Sequence, residues 1–154
     1  MSYVCREFDA APADVFAVLV DPASYPDWLI GAESIRNVDA SWPEPGSRFH
    51  HRVGVGALTI SDCTEILAVD PGFMLQLRVR ARPLIAAVVT FRVIGDRERC
   101  VVVMEEEPAH SVIGNLVRPV MDPLIHVRNH RSLHRLSEFV AQHVPSTRVP
   151  TRDT

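Results

Sequence analysis

The chain has 154 residues, enough for one domain, with 16 Lys plus Arg against 19 Asp plus Glu and a formal net charge of −3. That near-balance argues against a dedicated nucleic-acid binder, which carries a strong basic face, and against an acidic disordered segment. Hydrophobic content is 47% and charged content 23%, ordinary for a globular domain, and a chain this long buries roughly 70% of its unfolded surface, enough for a core or a core with a hollow.

Residues 3–9 read as a strand. Pro12 starts a short helix, where its fixed φ and missing N–H do no harm. Asp14 in the first turn suits the helix dipole, and Val15, Phe16, Leu19 and Val20 form the apolar stripe. Asp21-Pro22 stops this helix, because the residue before proline avoids the α region. A second short helical or irregular segment over 23–30 is interrupted by Pro26 and closed by Gly31.

The period then changes to two. Strands are expected over 34–40, 48–55, 57–69, 73–81, 85–94 and 100–106. Trp42-Pro43-Glu44-Pro45-Gly46 and Asp70-Pro71-Gly72 are turn clusters, Arg82-Pro83 breaks the chain again, and Gly95-Asp96 turns it. Gly54 and Gly56 mark a bend or bulge. Over 73–81 the alternation is cleanest: Phe73, Leu75, Leu77, Val79 and Ala81 face one way, and Met74, Gln76, Arg78 and Arg80 the other.

A helical region closes the chain. Residues 111–118 form a turn or short helix, and Asp122 then caps a helix whose first position is Pro123. Ile125, Leu133, Leu136, Phe139 and Val140 recur at three- and four-residue steps, with Arg128, Arg131, His134, Arg135 and Glu138 on the polar face. Residues 1–144 are expected to be a single domain, and 145–154, poor in apolar residues, a disordered tail. No run approaches the roughly 18 apolar residues of a membrane span, and residues 1–7 lack a signal region. Cys5, Cys63 and Cys100 are too few and too far apart for a disulfide framework or a zinc site, so reduced thiols and a cytoplasmic location are expected.

Short links between successive strands require antiparallel pairing. The fold class is therefore α+β: a strongly curved seven-stranded antiparallel sheet around a long C-terminal helix, with two short helices after the first strand. This arrangement leaves space between helix and sheet.

Strand parity sorts the polar residues. His51 shares a face with Phe49, Val53 and Val55, whereas His50 faces outward with Arg48 and Arg52. Asp62 and Thr64 lie with Leu58, Ile60 and Ile66, and Glu106 with Cys100, Val102 and Met104. Asn129 is four residues from both Ile125 and Leu133, within the apolar stripe. Burying His51, Asp62, Thr64, Glu106 and Asn129 without partners costs about 1–3 kcal/mol each. Either they bond one another, as satisfied interior groups and ion pairs do, or they meet a ligand in a mostly apolar pocket. Trp28 and Tyr25 stand at the entrance to such a cavity or wedge the small helices onto the sheet.

Other patterns give no site. His126, His130 and His134 share a helix face, but that face is rich in arginine and has no HExxH glutamate. Adjacent members of Glu105-Glu106-Glu107 point to opposite faces of a strand, and no nucleophile elbow or phosphate loop occurs. No metal and no cofactor are expected. Arg78, Arg80 and Arg82 are read as a solubilising face.

Ala11-Pro12-Ala13-Asp14-Val15-Phe16-Ala17-Val18-Leu19 followed by Asp21-Pro22-Ala23-Ser24-Tyr25-Pro26-Asp27-Trp28 resembles the opening pattern of the START-like, or SRPBCC, superfamily, and residues 128–136 resemble its closing helix. The resemblance covers about residues 3–142 and implies the helix-grip fold. That fold hosts both carriers and enzymes. The expected cavity and the absence of a recognisable catalytic set point to a carrier of a small hydrophobic or amphipathic ligand (a lipid, sterol or polyketide-like molecule), with Trp28, His51, Asp62, Thr64, Glu106 and Asn129 as ligand-binding candidates. The alternative is a polyketide cyclase, aromatase or dehydratase using His51 with a nearby carboxylate as general acid or base. A third reading is a protein-interaction module docking through its sheet. Expected partners are a small ligand, no nucleic acid and no stable membrane insertion, with the chain a monomer or homodimer.

Overall fold

The computed structural model describes residues 1–55, 58–81, 85–108 and 112–144, and side chains outside 53–62, 81–85 and 109–121. In chain order the elements are β1 (Ser2–Phe8), α1 (Pro12–Leu19), a 3-10 turn (Pro22–Ser24), α2 (Tyr25–Trp28), β2 (Ala32–Val38), β3 (Arg48–Val55), β4 (Leu58–Asp70), β5 (Met74–Ala81), β6 (Ile85–Gly95), β7 (Cys100–Pro108) and α3 (Val112–His143). The strands form one seven-stranded sheet in the order β1-β7-β6-β5-β4-β3-β2. Every neighbouring pair is antiparallel. The chain moves from one edge strand, β1, to the other, β2, through the two short helices. The expected order of elements is the observed one, and the expected tail, 145–154, lies outside the described residues.

Period-two patterning places the core. Along β1, Ser2, Val4 and Phe8 are buried while Tyr3, Cys5 and Glu7 are exposed. Phe49, Ile66, Leu75, Leu77, Phe91, Val102 and Met104 fill the concave face, and α3 adds Leu133, Leu136 and Val140. The helix packs on β1, β7, α1 and α2. The Asp70–Phe73 turn has Pro71 at its second position and Gly72, at φ 84, at its third, with Phe73 N–H donating to the Asp70 carbonyl at 3.0 Å. A positive φ there suits only glycine-like residues.

Several expectations are corrected. Phe73 does not join the inward face of β5. It ends the preceding turn and is 64% exposed. The strand β2 starts and ends two residues earlier than expected, because register shifts at Ala32/Ser34 and Ile35/Asn37 break its alternation. No bulge occurs at Gly54, since β3 and β4 pair without interruption from Arg48↔Glu65 to Val55↔Leu58. The irregularity falls instead between Ile66 and Ala68 on β4.

The largest correction concerns α3. Two helical pieces were expected, split by the prolines, yet one 32-residue helix runs through Pro119 and Pro123. An internal proline costs about 3 kcal/mol through a lost hydrogen bond and a clash with the preceding turn. Burial of Leu133, Leu136 and Val140 downstream offsets that cost, at about 1.5–3 kcal/mol per large side chain. Asp122 therefore does not cap a helix; its carboxylate lies 3.7 Å from the Met1 amino group.

The three cysteines form no disulfide. Burial raises the Cys100 thiol to about 11, whereas Cys5 is exposed. Between the ordinary thiol value of about 8.5 and about 11, the folded chain keeps the Cys100 proton while the unfolded chain releases it. Stability present below that window is thus lost as pH rises through it. Urea unfolding at pH 8 and pH 10.5 is expected to show this fall, with a shallower slope in Cys100→Ala. Iodoacetamide at pH 8 is expected to label Cys5 well before Cys100.

Candidate functional site

A cavity of about 330 Å³ lies inside the sheet, bordered by α2, the start of β2 and α3. Most of its wall is apolar: Leu29 from the α2 end, Phe49 from β3, Leu77 from β5, Val89 and Phe91 from β6, and Met104 from β7. Besides Tyr25, five polar side chains break this surface. Three of them, His51, Thr64 and Glu106, are strand residues turned inward by the same alternation that turns Phe49, Ile66 and Met104 inward. The other two are Arg80 of β5 and Arg128 of α3.

His51 is 6% exposed, and its ring centre lies 5.3 Å from that of Phe49. On the backbone it stands opposite Asp62 of β4 and Ile35 of β2. The Asp62 side chain itself lies outside the described residues. Thr64, 3% exposed, sits between Phe49 of β3 and Val79 of β5. His50 is exposed, as the parity of β3 requires.

Glu106 anchors the opposite wall, between Ser2 of β1 and Val89 of β6. It is 5% exposed. Its Oε2 accepts hydrogen bonds from Asn129 Nδ2, at 2.7 Å, and from Arg128 Nη2. Arg128 also donates to Asn129 Oδ1, from Nε at 3.1 Å and from Nη2 at 2.9 Å. Asn129, fully buried, completes the network by donating to Ser2 Oγ at 3.4 Å. Two charges and an amide thus satisfy one another where β1, β7 and α3 meet. Charged donors make such bonds stronger than neutral ones. Asn129→Ala removes one of the two donors to the buried carboxylate and the acceptor that holds Arg128, and is expected to lower stability by about 1–3 kcal/mol, read from urea unfolding.

The other sequence candidates take different places. Trp28 is buried but does not stand at the cavity wall: its Nε1–H donates to Ser24 Oγ at 3.0 Å and its ring meets Phe91 edge-on at 6.1 Å. Tyr25 does reach the wall, yet its hydroxyl donates to the Leu19 carbonyl at 2.8 Å. Burial, then the charge of Asp21, pushes its phenol well above the usual value, so it keeps its proton. Asn129 stands behind Glu106 and positions it. Arg80, assigned to the outer face, also borders the cavity.

Arg128 and Ser2 were missed. Both signals were present: Arg128 sits three residues after Ile125 on the border of the apolar stripe, and Ser2 alternates with Val4. Among the described residues no cluster of His, Cys, Asp and Glu is arranged to hold a metal ion. His126 and His130 are exposed, and His134 lies 3.9 Å from Glu138. No helix among the described residues is long and apolar enough to cross a membrane.

Residues 3–140 match the family model described as polyketide cyclase/dehydrase and lipid transport. Comparison with curated proteins finds no match. Among solved structures, a Thermus thermophilus protein is 18% identical with a TM-score of 0.68, covering 94% of this chain and 99% of its own. The Zhui aromatase/cyclase of a Streptomyces species is 16% identical with a TM-score of 0.70, covering 94% of each chain. A norcoclaurine synthase of Thalictrum flavum, solved with a transition-state analogue, is 18% identical with a TM-score of 0.63, covering 93% of this chain and 94% of its own. At these identities the likeness is one of fold.

Proposed function

The chain belongs to the polyketide cyclase/dehydrase and lipid transport family, and from that premise we propose that it binds and carries a small amphipathic molecule in its internal cavity. One observation carries this reading: a hollow of about 330 Å³, walled mainly by hydrocarbon, with a buried polar cluster at one side. Ligand sites are typically concave, largely apolar and fitted with a few fixed polar groups. This volume is at the small end of the usual range of about 300–1,000 Å³ and suits a short chain or a compact ring system.

Native mass spectrometry and thermal unfolding test it against short fatty acids, sterols and fused-ring aromatics. A ligand at 100 times its Kd adds about 2.7 kcal/mol. In a domain of this size that raises Tm by roughly 5–10 °C. No shift and no retained mass across the panel would remove the reading. We place the carrier in the cytoplasm, as a monomer or homodimer; three thiols without a disulfide suit a reducing compartment.

A second reading, a cyclase-type enzyme, is favoured by His51 standing at the wall opposite Asp62 in register. An imidazole there is suited to moving a proton at an enolisable carbonyl. Its test is His51→Ala with a substrate that the unmodified chain turns over. A loss of about 100-fold in kcat with KM little changed supports the role. An unchanged kcat removes it.

A further inference from the structure

Buried hydroxyls in this chain are bonded, with one exception. Ser2, Ser24, Ser47, Thr90 and Ser132 each exchange a hydrogen bond with Asn129, Asp21, Glu44, Gln76 and Ile30 in turn. Tyr25 gives its proton to Leu19. Thr64 is 3% exposed, and its Oγ1 has no hydrogen-bond partner among the described residues, yet is not sealed from the hollow it borders. Its neighbours in register are Phe49 on β3 and Val79 on β5, hydrocarbon that accepts nothing. Packing and strand propensity do not call for an oxygen here, because valine is branched at the same carbon and favours strands as well. A buried polar group without a partner is rare enough to need a reason.

We propose that the Thr64 hydroxyl donates a hydrogen bond to an uncharged carbonyl oxygen of the molecule held in the cavity. This rests on the cavity being a ligand site and adds the chemical class of the group bound at this wall. A hydroxyl brings one donor and two acceptor positions, and the donor is the costlier one to leave unused. The ligand must therefore offer an acceptor. A carbonyl oxygen has no proton of its own to place. A ligand hydroxyl would bring a second donor up to the hydrocarbon of Phe49, Leu77 and Val79, where it finds no partner. A carboxylate would give up its hydration for one neutral donor, which does not compensate the loss. A body with no acceptor would cover Oγ1 and strip it of water without replacement. Strand β4 is paired on both sides at Thr64, and a β-branched side chain is stiff at χ1, so the donor is in place before the ligand arrives.

The test uses three probes of similar size on the full chain: 2-acetylnaphthalene, 2-isopropenylnaphthalene, in which a methylene group replaces the oxygen, and 2-naphthoate. Titration is expected to show the ketone binding about 3- to 10-fold more tightly than the hydrocarbon, the range of one neutral hydrogen bond. Thr64→Val is expected to abolish that ratio by weakening the ketone alone, and Thr64→Ser to restore it. Because Thr64→Val removes no bond made among the described residues, its ligand-free Tm is expected to equal or exceed that of the unmodified chain. A Tm lower by more than about 4 °C would show that the hydroxyl serves the fold, and would overturn the proposal. Equal binding of ketone and hydrocarbon by the unmodified chain would overturn it and leave the cavity reading standing. So would an equal loss of both probes in Thr64→Val, tighter binding of 2-naphthoate than of the ketone, or failure of the ketone to bind when another member of the wider panel does. Binding of none of the three, together with silence across that panel, would remove the carrier reading and this inference with it.

Discussion

Trp28→Ala is expected to lower stability by about 4 kcal/mol, the middle of the range for emptying a buried indole site. In a domain of this length that corresponds to a fall in Tm of roughly 8–16 °C. The indole is fully buried. Its ring centre lies 4.9 Å from Tyr25 and 6.1 Å from Phe91. Helix α2 has four residues, too few to hold a helical conformation without tertiary support. The side chains on either side, Tyr25 and Leu29, line the cavity, so loss of the anchor also loosens the wall. Trp28→Phe should recover part of the loss, keeping the contact with Phe91 but not the bond to Ser24. Urea unfolding monitored by circular dichroism measures both. A loss below about 1 kcal/mol for Trp28→Ala would contradict the anchoring role.

Val89→Trp is expected to weaken binding of any cavity ligand by at least 100-fold while the chain stays folded. Val89 lies at the middle of the wall, opposite Leu77 on β5 and Glu106 on β7. Its side chain points into the hollow of about 330 Å³. A larger ring at this point takes the volume a ligand would use, and burial of the ligand's apolar surface is the main source of its affinity. Overpacking a filled core costs typically 1–3 kcal/mol, and a site that already borders empty space should stay at the lower end of that range. Thermal unfolding checks the fold and titration with the best ligand of the panel checks the affinity. Val89→Ala is the control and should keep binding. Unchanged affinity in Val89→Trp would mean that ligands bind elsewhere.

The legible part of this molecule is what alternation controls. The inward positions of Leu75 and Leu77, the split between His50 and His51, and the burial of Thr64, Glu106 and Asn129 all follow from a period of two or 3.6. Three features escaped. Continuity of α3 through Pro119 and Pro123 depends on long-range burial outweighing a local penalty, which no local pattern reports. Arg128 reads as a solvent-facing cation because its partner is Glu106, 22 residues away in sequence and on a different element. Trp28 could be read as either entrance or wedge, and the choice depends on Ser24 and Phe91 lying within reach. Of the interior polar set, His51, Thr64, Glu106 and Asn129 are buried where the periodicity puts them, Asp62 lies outside the described side chains, and the pairing of Glu106 with Arg128 was not legible.

The wall that carries Glu106 is assembled from β1, β7 and α3, and the contact between Ser2 and Asn129 spans 127 residues. Arg6 Nε donating to Ser137 Oγ at 2.8 Å spans 131. During synthesis the strands emerge first, and their oily inner surface has no lid until the last helix has left the ribosome. Closure of so long a loop is entropically slow, and β-rich domains with such distant pairings mature over milliseconds to seconds. The nascent chain in that interval is the form most in need of a chaperone.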